Sequence, residues 1–358
     1  MQLLVDQIVS LTEHRDRESL DAGLATSFMT LFKPEKVVIY SVVSDAKDQR
    51  WLPLTLVSSD LTVEKYSPMH ADFRSLEPLA DSAHRSQCLN SKIPVDVAST
   101  EQKGQTINCL AFMADSLSEE LGVIEIHAKR QLSATEHEAA QRVLRVYRNM
   151  QSMFAYSERD ALTGLLNRKS FDDSFYKAFR EPGLLSAGTP GTAIATGKKN
   201  QSKRRVESSE VFWLAMVDID HFKNVNDKYG HQIGDEVLIL VARILKITFR
   251  GYDRIYRFGG EEFVILLRCP DHATALNAVE RFRTAMENFE FPQVGKITAS
   301  VGLSEIRASD TPEAACVRAD QAVYFAKRNG RNQVSSFSEL EKKGLLQSDV
   351  KVGGVELF

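Results

Sequence analysis

Val211-Phe-Trp-Leu-Ala-Met-Val217 runs directly into Asp218-Ile-Asp220. Seven apolar residues without a break read as a strand buried on both faces. A charged residue straight after them marks the rim of a sheet, where ligands tend to bind. Downstream, helical spacing from about Gly234 to Phe249 sets Val237, Leu240, Val241 and Ile244 on one face. Arg254–Phe258 and Glu262–Leu267 read as two strands joined through Gly259-Gly260, a two-residue hairpin signal. A helix over roughly 272–289, a strand over Ile297–Leu303 and a helix over Pro312–Asn329 follow. The last has Pro at its first turn and Gly330 past its end. The expectation is an α+β domain with a central sheet surrounded by helices.

Upstream, residues 1 to about 32 read as one helix through Leu4, Ile8, Leu11, Leu20, Leu24, Phe28 and Leu31, ended by Pro34. Strand-like runs follow at 37–40 and 52–57, then at Ile107–Met113 and Leu121–His127 around the polar turn Asp115–Glu120. This describes a first α+β domain over 1–135, so the chain is α+β throughout. From Ser133 to Tyr156 an apolar stripe recurs through Ala140, Val143, Tyr147, Met150 and Phe154. Such a stripe serves either a helix packed on its own domain or a dimer stalk. The needs of the second domain favour the stalk, a connecting helix over 136–157. The second domain is then 158–337, with a loop at 183–210 rich in small and basic residues whose charges read as solvated. A tail, 338–358, carries no pattern.

The 358 residues suit two domains, and 45 Lys and Arg against 48 Asp and Glu give no pull toward nucleic acid polymers or a membrane surface. Cys88, Cys109, Cys269 and Cys316 lack metal or disulfide spacing, as expected in a reducing compartment. No apolar run nears the ~18 residues of a membrane span, and the start lacks the basic region of a signal peptide. A cytoplasmic protein is expected. His70, His84, His127, Cys88 and Cys109 show no ligand spacing and read as core or surface packing.

The chemistry concentrates in carboxylates. Adjacent strands would bring Asp218 to a shared edge with Glu261 and Glu262, at the tip of Arg257-Phe-Gly-Gly-Glu-Glu-Phe263. Glycines there permit a sharp turn and a close ligand approach. Clustered carboxylates repel one another unless a cation lies between them, and all-oxygen donors suit Mg²⁺ with substrate phosphates. Taken alone, a Glu-Glu hairpin tip reads as a solvated turn.

Gly259-Gly-Glu-Glu-Phe263 resembles the signature of the GGDEF (diguanylate cyclase) family in its GGEEF form. Three more blocks agree in order: Asp160-Ala-Leu-Thr-Gly-Leu-Leu-Asn-Arg168, Val217-Asp-Ile-Asp-His-Phe-Lys-Asn-Val-Asn-Asp227 with its continuation to Glu236, and Ala326-Lys-Arg-Asn-Gly-Arg-Asn332. The resemblance spans 158–335. It implies a palm-like sheet and condensation of two GTP into cyclic di-GMP by a homodimer. Asp218, the Ile219 carbonyl, Glu261 and Glu262 would hold Mg²⁺, with Mn²⁺ as a substitute. Glu261 would also accept the proton of the attacking 3′-hydroxyl, and Lys223 would stabilise phosphate charge. Asn226 and Asp235, with His231 nearby, would meet guanine, and Lys327 and Arg331 the terminal phosphates. Several also have a structural use, Asn226 and Asp235 as caps, Lys223 as an exposed residue of an amphipathic helix and Lys327 as a last-turn cation.

Arg250-Gly-Tyr-Asp253 resembles the family's inhibitory product site, with Arg281 as a second arginine; Arg250 beside the cap Gly251 would also suit a helix end. The 183–210 loop is an insertion relative to the family's compact form. The first domain is similar to a GAF domain in element order, with PAS-like and unrelated input folds open and its ligand or partner unassigned. The rival reading is a non-catalytic cyclic di-GMP receptor, against which all the signature carboxylates and cations are present. A polymerase-like or single-nucleotide cyclase would share the metal carboxylates but not the product site.

Overall fold

The computed structural model describes residues 2–45, 48–67, 70–99, 104–113, 121–180 and 211–346. The turn expected at 115–120 and the insertion expected at 183–210 lie outside them. The chain divides into two compact units whose boundary falls between Ser157 and Glu158.

The first unit holds α1 (Gln2–Glu13), α2 (Arg17–Phe32), β1 (Lys36–Asp45), β2 (Asp48–Ser58), β3 (Val63–Lys65), β4 (Glu77–Pro78), α3 (Ala83–Ser91), β5 (Val95–Ala98), β6 (Thr106–Met113), β7 (Leu121–Ala128) and α4 (Ala134–Glu158). The single helix expected over 1–32 is two. Asp16 adopts an extended backbone and its carboxylate accepts Ser19 N at 2.9 Å, so it caps a new helix where the first stops. The sheet runs β3-β2-β1-β7-β6-β5, with β4 pairing β2. β7 sorts its residues by alternation. Ile124 and Ile126 face a core shared with α2 and α4, whereas Val123 joins Trp51, Cys88 and Cys109 on the α3 face.

The stripe on α4 packs on its own unit, the first of the two uses the spacing allowed. Ala140, Val143 and Tyr147 are buried in the first unit's own core, with Met150 and Phe154 packed at its edge. Tyr147 Oη donates to Asp21 Oδ1 at 2.7 Å, and Gln151 Nε2 donates to the same oxygen at 2.9 Å. Burying a side chain of this kind is worth about 1.5–3 kcal/mol, so the intradomain use wins the stripe. What α4 leaves open is Met153 and Tyr156, 65% and 77% exposed.

The second unit holds β8 (Leu166–Asn167), α5 (Arg168–Arg180), β9 (Val211–Ile219), α6 (Phe222–Tyr229), α7 (His231–Thr248), β10 (Arg254–Gly259), β11 (Glu262–Cys269), α8 (His272–Asn288), β12 (Ala299–Glu305), α9 (Pro312–Arg328), β13 (Val334–Ser336) and α10 (Phe337–Lys342). Its sheet order is β13-β12-β9-β11-β10-β8, which sets β9 between two antiparallel partners. Trp213, Ala215, Val217 and Ile219 of β9 share a core with residues of α7 and α8. The packed structure continues past 337, because Phe337 and Leu340 of α10 bury against Ala322. Among the described residues no helix is long and apolar enough to cross a membrane.

Candidate active site

Asp218 stands on the β9 face opposite that core, and α9 reaches it there. The approach depends on Gly302 of β12: a Cβ at that position would lie 2.0 Å from the Ala319 carbonyl oxygen of α9. With the helix seated this closely, Lys327 Nζ lies 2.6 Å from Asp218 Oδ2. The strand register then adds Glu262, which pairs with Asp218 across β9 and β11. Glu261 follows from the turn, its carbonyl accepting Ile219 N at 3.4 Å.

The hairpin is built one residue later than the sequence suggests. β10 runs through Gly259, which pairs with Glu262, so the two turn residues are Gly260 and Glu261. Gly260 has φ 47°, a conformation that favours glycine, and an added Cβ at Gly259 or Gly260 would meet nothing within 4 Å. The tip thus leaves open space for a ligand. Arg257 fastens it from behind, donating from Nη2 to the Gly260 carbonyl at 3.0 Å and from Nη1 to Asp160 Oδ1 at 3.0 Å. Asp160 is held in turn by Thr163 N at 2.9 Å and Thr163 Oγ1 at 2.7 Å. The 160–168 block therefore braces the hairpin, a link that no spacing in the sequence discloses.

Charge defines the cluster. Asp218 is 6% exposed, and its Oδ1 is buried without a partner while Oδ2 takes Lys327. Burial pushes its carboxyl above the ordinary range, more than the Lys327 hydrogen bond and charge pull it back. Glu261 and Glu262 are raised as well, first by desolvation and then by the Asp218 charge. Asp320 of α9, absent from the sequence expectations, is raised by desolvation and adds its charge to Asp218 and Glu262. Four acids thus converge where Lys327 is the cation within contact of Asp218. An orphaned carboxylate oxygen among acids this reluctant to ionise fits a hard divalent cation with oxygen ligands.

Asp220, two residues on, is spoken for. It accepts Thr298 Oγ1 at 2.7 Å, Ser300 Oγ at 2.7 Å and Asn332 N at 3.0 Å. It ties the end of β9 to β12 and to the 326–332 block, a positioning role.

The other expected residues fall in four places. Lys223 is exposed in the first turn of α6, where Phe222 and Val225 supply the buried face. Asn226, His231 and Asp235 come together at the α6–α7 corner. Gly230 N donates to the Asn226 carbonyl at 2.9 Å, and a Cβ at Gly234 would lie 1.9 Å from Asn226 Oδ1, so glycine is needed there. Arg331 follows α9 with φ 61°, its backbone N donating to the Ala326 carbonyl at 3.0 Å and its side chain exposed. At the far end of α7, Arg250 N donates to Asp253 Oδ2 at 3.0 Å, while Arg281 Nη2 donates to the Thr248 carbonyl at 2.6 Å. Arg250 also reaches the Tyr252 hydroxyl. The three residues expected of a product site therefore gather at one helix end.

Residues 193–333 match the family model described as diguanylate cyclase, GGDEF domain. The match supports a GGDEF domain of the diguanylate cyclase family. Diguanylate cyclase DgcP of Pseudomonas aeruginosa is 34% identical over 238 residues, covering 65% of this chain and 34% of that protein. Diguanylate cyclase DgcM of Escherichia coli K12 is 30% identical over 213 residues, covering 60% of this chain and 45% of that protein. Among solved structures, the GGDEF domain of DgcB from Caulobacter crescentus in complex with c-di-GMP is 30% identical. It gives a TM-score of 0.41 and covers 51% of this chain and 96% of that one. The chain spans less than half the length of the two curated relatives.

Proposed function

We propose that this protein is a diguanylate cyclase, condensing two GTP into cyclic di-GMP and two pyrophosphates. The observation that carries the reading is the acid cluster: Asp218 with a buried, partnerless Oδ1, register-paired with Glu262 and joined by Glu261 and Lys327. Asp218, Glu261, Glu262 and the Ile219 carbonyl would hold Mg²⁺. The metal would supply charge neutralisation at the phosphates and acidify the attacking hydroxyl. Glu261, on the open hairpin tip, takes the proton of the 3′-hydroxyl as that oxygen bonds to the α-phosphorus of the other nucleotide and pyrophosphate departs. Lys223, Lys327 and Arg331 counter the phosphate charge, while Asn226, His231 and Asp235 recognise guanine at the α6–α7 corner. Lys327 would exchange Asp218 for phosphate as the cation enters.

Each domain carries one nucleotide, so both bonds form only when two copies face each other; the working species is a homodimer. Residues 1–135 of the first unit would act as a GAF-like input domain and α4 as the connection, in a cytoplasmic protein. Arg250, Asp253 and Arg281 would bind product and restrain the enzyme. Incubation of the purified chain with GTP and Mg²⁺, resolved by chromatography and mass, tests the reading. Cyclic di-GMP with pyrophosphate is the expected result. Binding of cyclic di-GMP without turnover, after bound product is stripped, would instead assign a receptor.

A further inference from the structure

The α3 face of the first unit buries a set of side chains that sequence spacing reads as packing. Cys109 on β6 and Glu125 on β7 are register partners on adjacent antiparallel strands, so their side chains stand together on one face. His84, in the first turn of α3, closes over them. One donor atom from each of His84, Cys109 and Glu125 lies within 4.8 Å of the others. Glu125 is 3% exposed and Cys109 is fully buried, while the His84 side chain keeps 25% exposure and leaves a way in. His127, two residues along β7 on the same face, holds Glu125 Oε2 from Nε2 at 3.0 Å.

We propose that His84, Cys109 and Glu125 form a binding site for a first-row divalent transition metal of the Zn²⁺ class. An imidazole, a thiolate and a carboxylate are borderline donors that such ions accept, commonly with a fourth position left to water. Donors at ~2.0–2.3 Å from one ion lie within about 4.5 Å of each other, so the observed cluster needs only small movements. His127 is a positioning residue that orients the carboxylate, as outer partners of metal ligands do.

Charge bookkeeping gives independent support. Arg85 is 6% exposed, stacked 4.2 Å from the Tyr40 ring and 5.3 Å from Trp51, with Nη2 on Glu77 Oε2 at 2.6 Å. Its Nε lies 3.0 Å from Glu125 Oε1 without hydrogen-bond alignment, and its Nη1 is buried without a partner. One guanidinium against Glu77 and Glu125 leaves a net negative charge. A dication with a deprotonated Cys109 brings the whole group to neutrality, with both imidazoles neutral. Burial otherwise holds the Cys109 thiol protonated, a state that metal ligation reverses.

The test is Co²⁺ titration of the purified, metal-free full chain with excess Mg²⁺ present to occupy oxygen-ligand sites. One equivalent should produce a sulfur-to-cobalt charge-transfer band, displaced by Zn²⁺. Cys109→Ser and His84→Ala should abolish the band or weaken binding at least about 100-fold, and His127→Ala about 10–100-fold. Cys88→Ser should retain it. Circular dichroism checks that each variant is folded. If Cys109→Ser does not fold, His84→Ala decides, because that residue reaches the surface. No band in the native chain, or a band of unchanged affinity in folded Cys109→Ser or His84→Ala, overturns the site.

Discussion

The two units use the same device and reach opposite electrostatic outcomes. Each sets two polar side chains on a register pair of antiparallel strands, Cys109 with Glu125 in the first and Asp218 with Glu262 in the second. In the first unit the carboxylate is supplied with cations and donors: His84 at 2.7 Å, Arg85 at 3.0 Å and His127 at 3.0 Å. Burial raises Glu125, but the His127 and His84 hydrogen bonds and the Arg85 charge outweigh it, and its carboxyl sits well below the ordinary range. In the second unit desolvation wins, and Asp218, Glu261 and Glu262 are all held above that range. The supplied acid stabilises the fold even before a metal reaches it, whereas the under-supplied acids carry a charge penalty until a ligand arrives.

That contrast breaks most directly at Glu125. Glu125→Ala removes one of the two acids on the buried Arg85 guanidinium and leaves Glu77 at 2.6 Å, so the loss should approach but not exceed the about 3–5 kcal/mol of a buried charge left unpaired. Thermal unfolding should show the loss in the first unit. The depressed carboxyl also fixes the pH sense. Its stabilisation is complete above the unfolded carboxylate value and fades as pH falls toward the lower folded value. Stability of the native chain should therefore decline on acidification more than that of Glu125→Gln. Equal pH profiles for the two would remove the buried pair from the account.

Glu261→Ala should do the reverse, leaving unfolding nearly unchanged while cyclic dinucleotide synthesis falls by more than about 100-fold. If Glu261 is a direct ligand of the proposed metal, its loss should exceed the about 10–100-fold typical of outer partners. The open space around the hairpin glycines is the reason to expect folding to survive. Initial-rate assays at saturating Mg²⁺ measure this, and turnover within a few-fold of the native chain would remove Glu261 from the metal site.

The second site was legible because its residues lie in short, ordered blocks whose spacing is set by a strand end and a tight turn. Its fold followed too: the Val211–Val217 run became the central strand, and the helix over Pro312–Asn329 is observed at Pro312–Arg328. What the sequence hid were contacts made across it. Asp160 braces Arg257 from 97 positions away, and Asp320 enters the acid cluster only because Gly302 lets α9 close on the sheet. The first site was illegible for the same reason, since His84, Cys109 and Glu125 come from three elements. A signal was nonetheless present in Val123-Ile-Glu-Ile-His127, where alternation sets Glu125 and His127 on one face of a strand buried on both. The stripe on α4 was ambiguous because heptad-like spacing fits a core face as well as a stalk, and Asp21, which satisfies Tyr147, is 126 positions distant.

A smaller effect is expected at Arg250. If Arg250, Asp253 and Arg281 grip product, Arg250→Ala should raise the cyclic di-GMP concentration needed for half-inhibition about tenfold or more, some 1.4 kcal/mol of lost binding. The rate without product should stay as it was, because α7 separates this helix end from the α6–α7 corner. Inhibition at full strength in the variant would leave Arg250 a helix-end cation only.

The smallest effect sharpens the comparison furthest. Glu261 binds its proton more tightly in the folded chain than in the unfolded one, so its penalty is absent at acid pH and grows as pH rises through the elevated folded value. Glu261→Gln removes that charge and should stabilise the metal-free protein near neutral pH, by less than about 1 kcal/mol because the tip is partly solvated. The gain should vanish toward acid pH, where the native residue is protonated too. Adding Mg²⁺ should reverse the ranking, since only the native carboxylate can convert metal binding into stability. Parallel melts in chelator and in Mg²⁺ measure both halves. A variant less stable than the native chain in chelator at neutral pH would show that Glu261 is satisfied as Glu125 is, and the division between the two sites would fall.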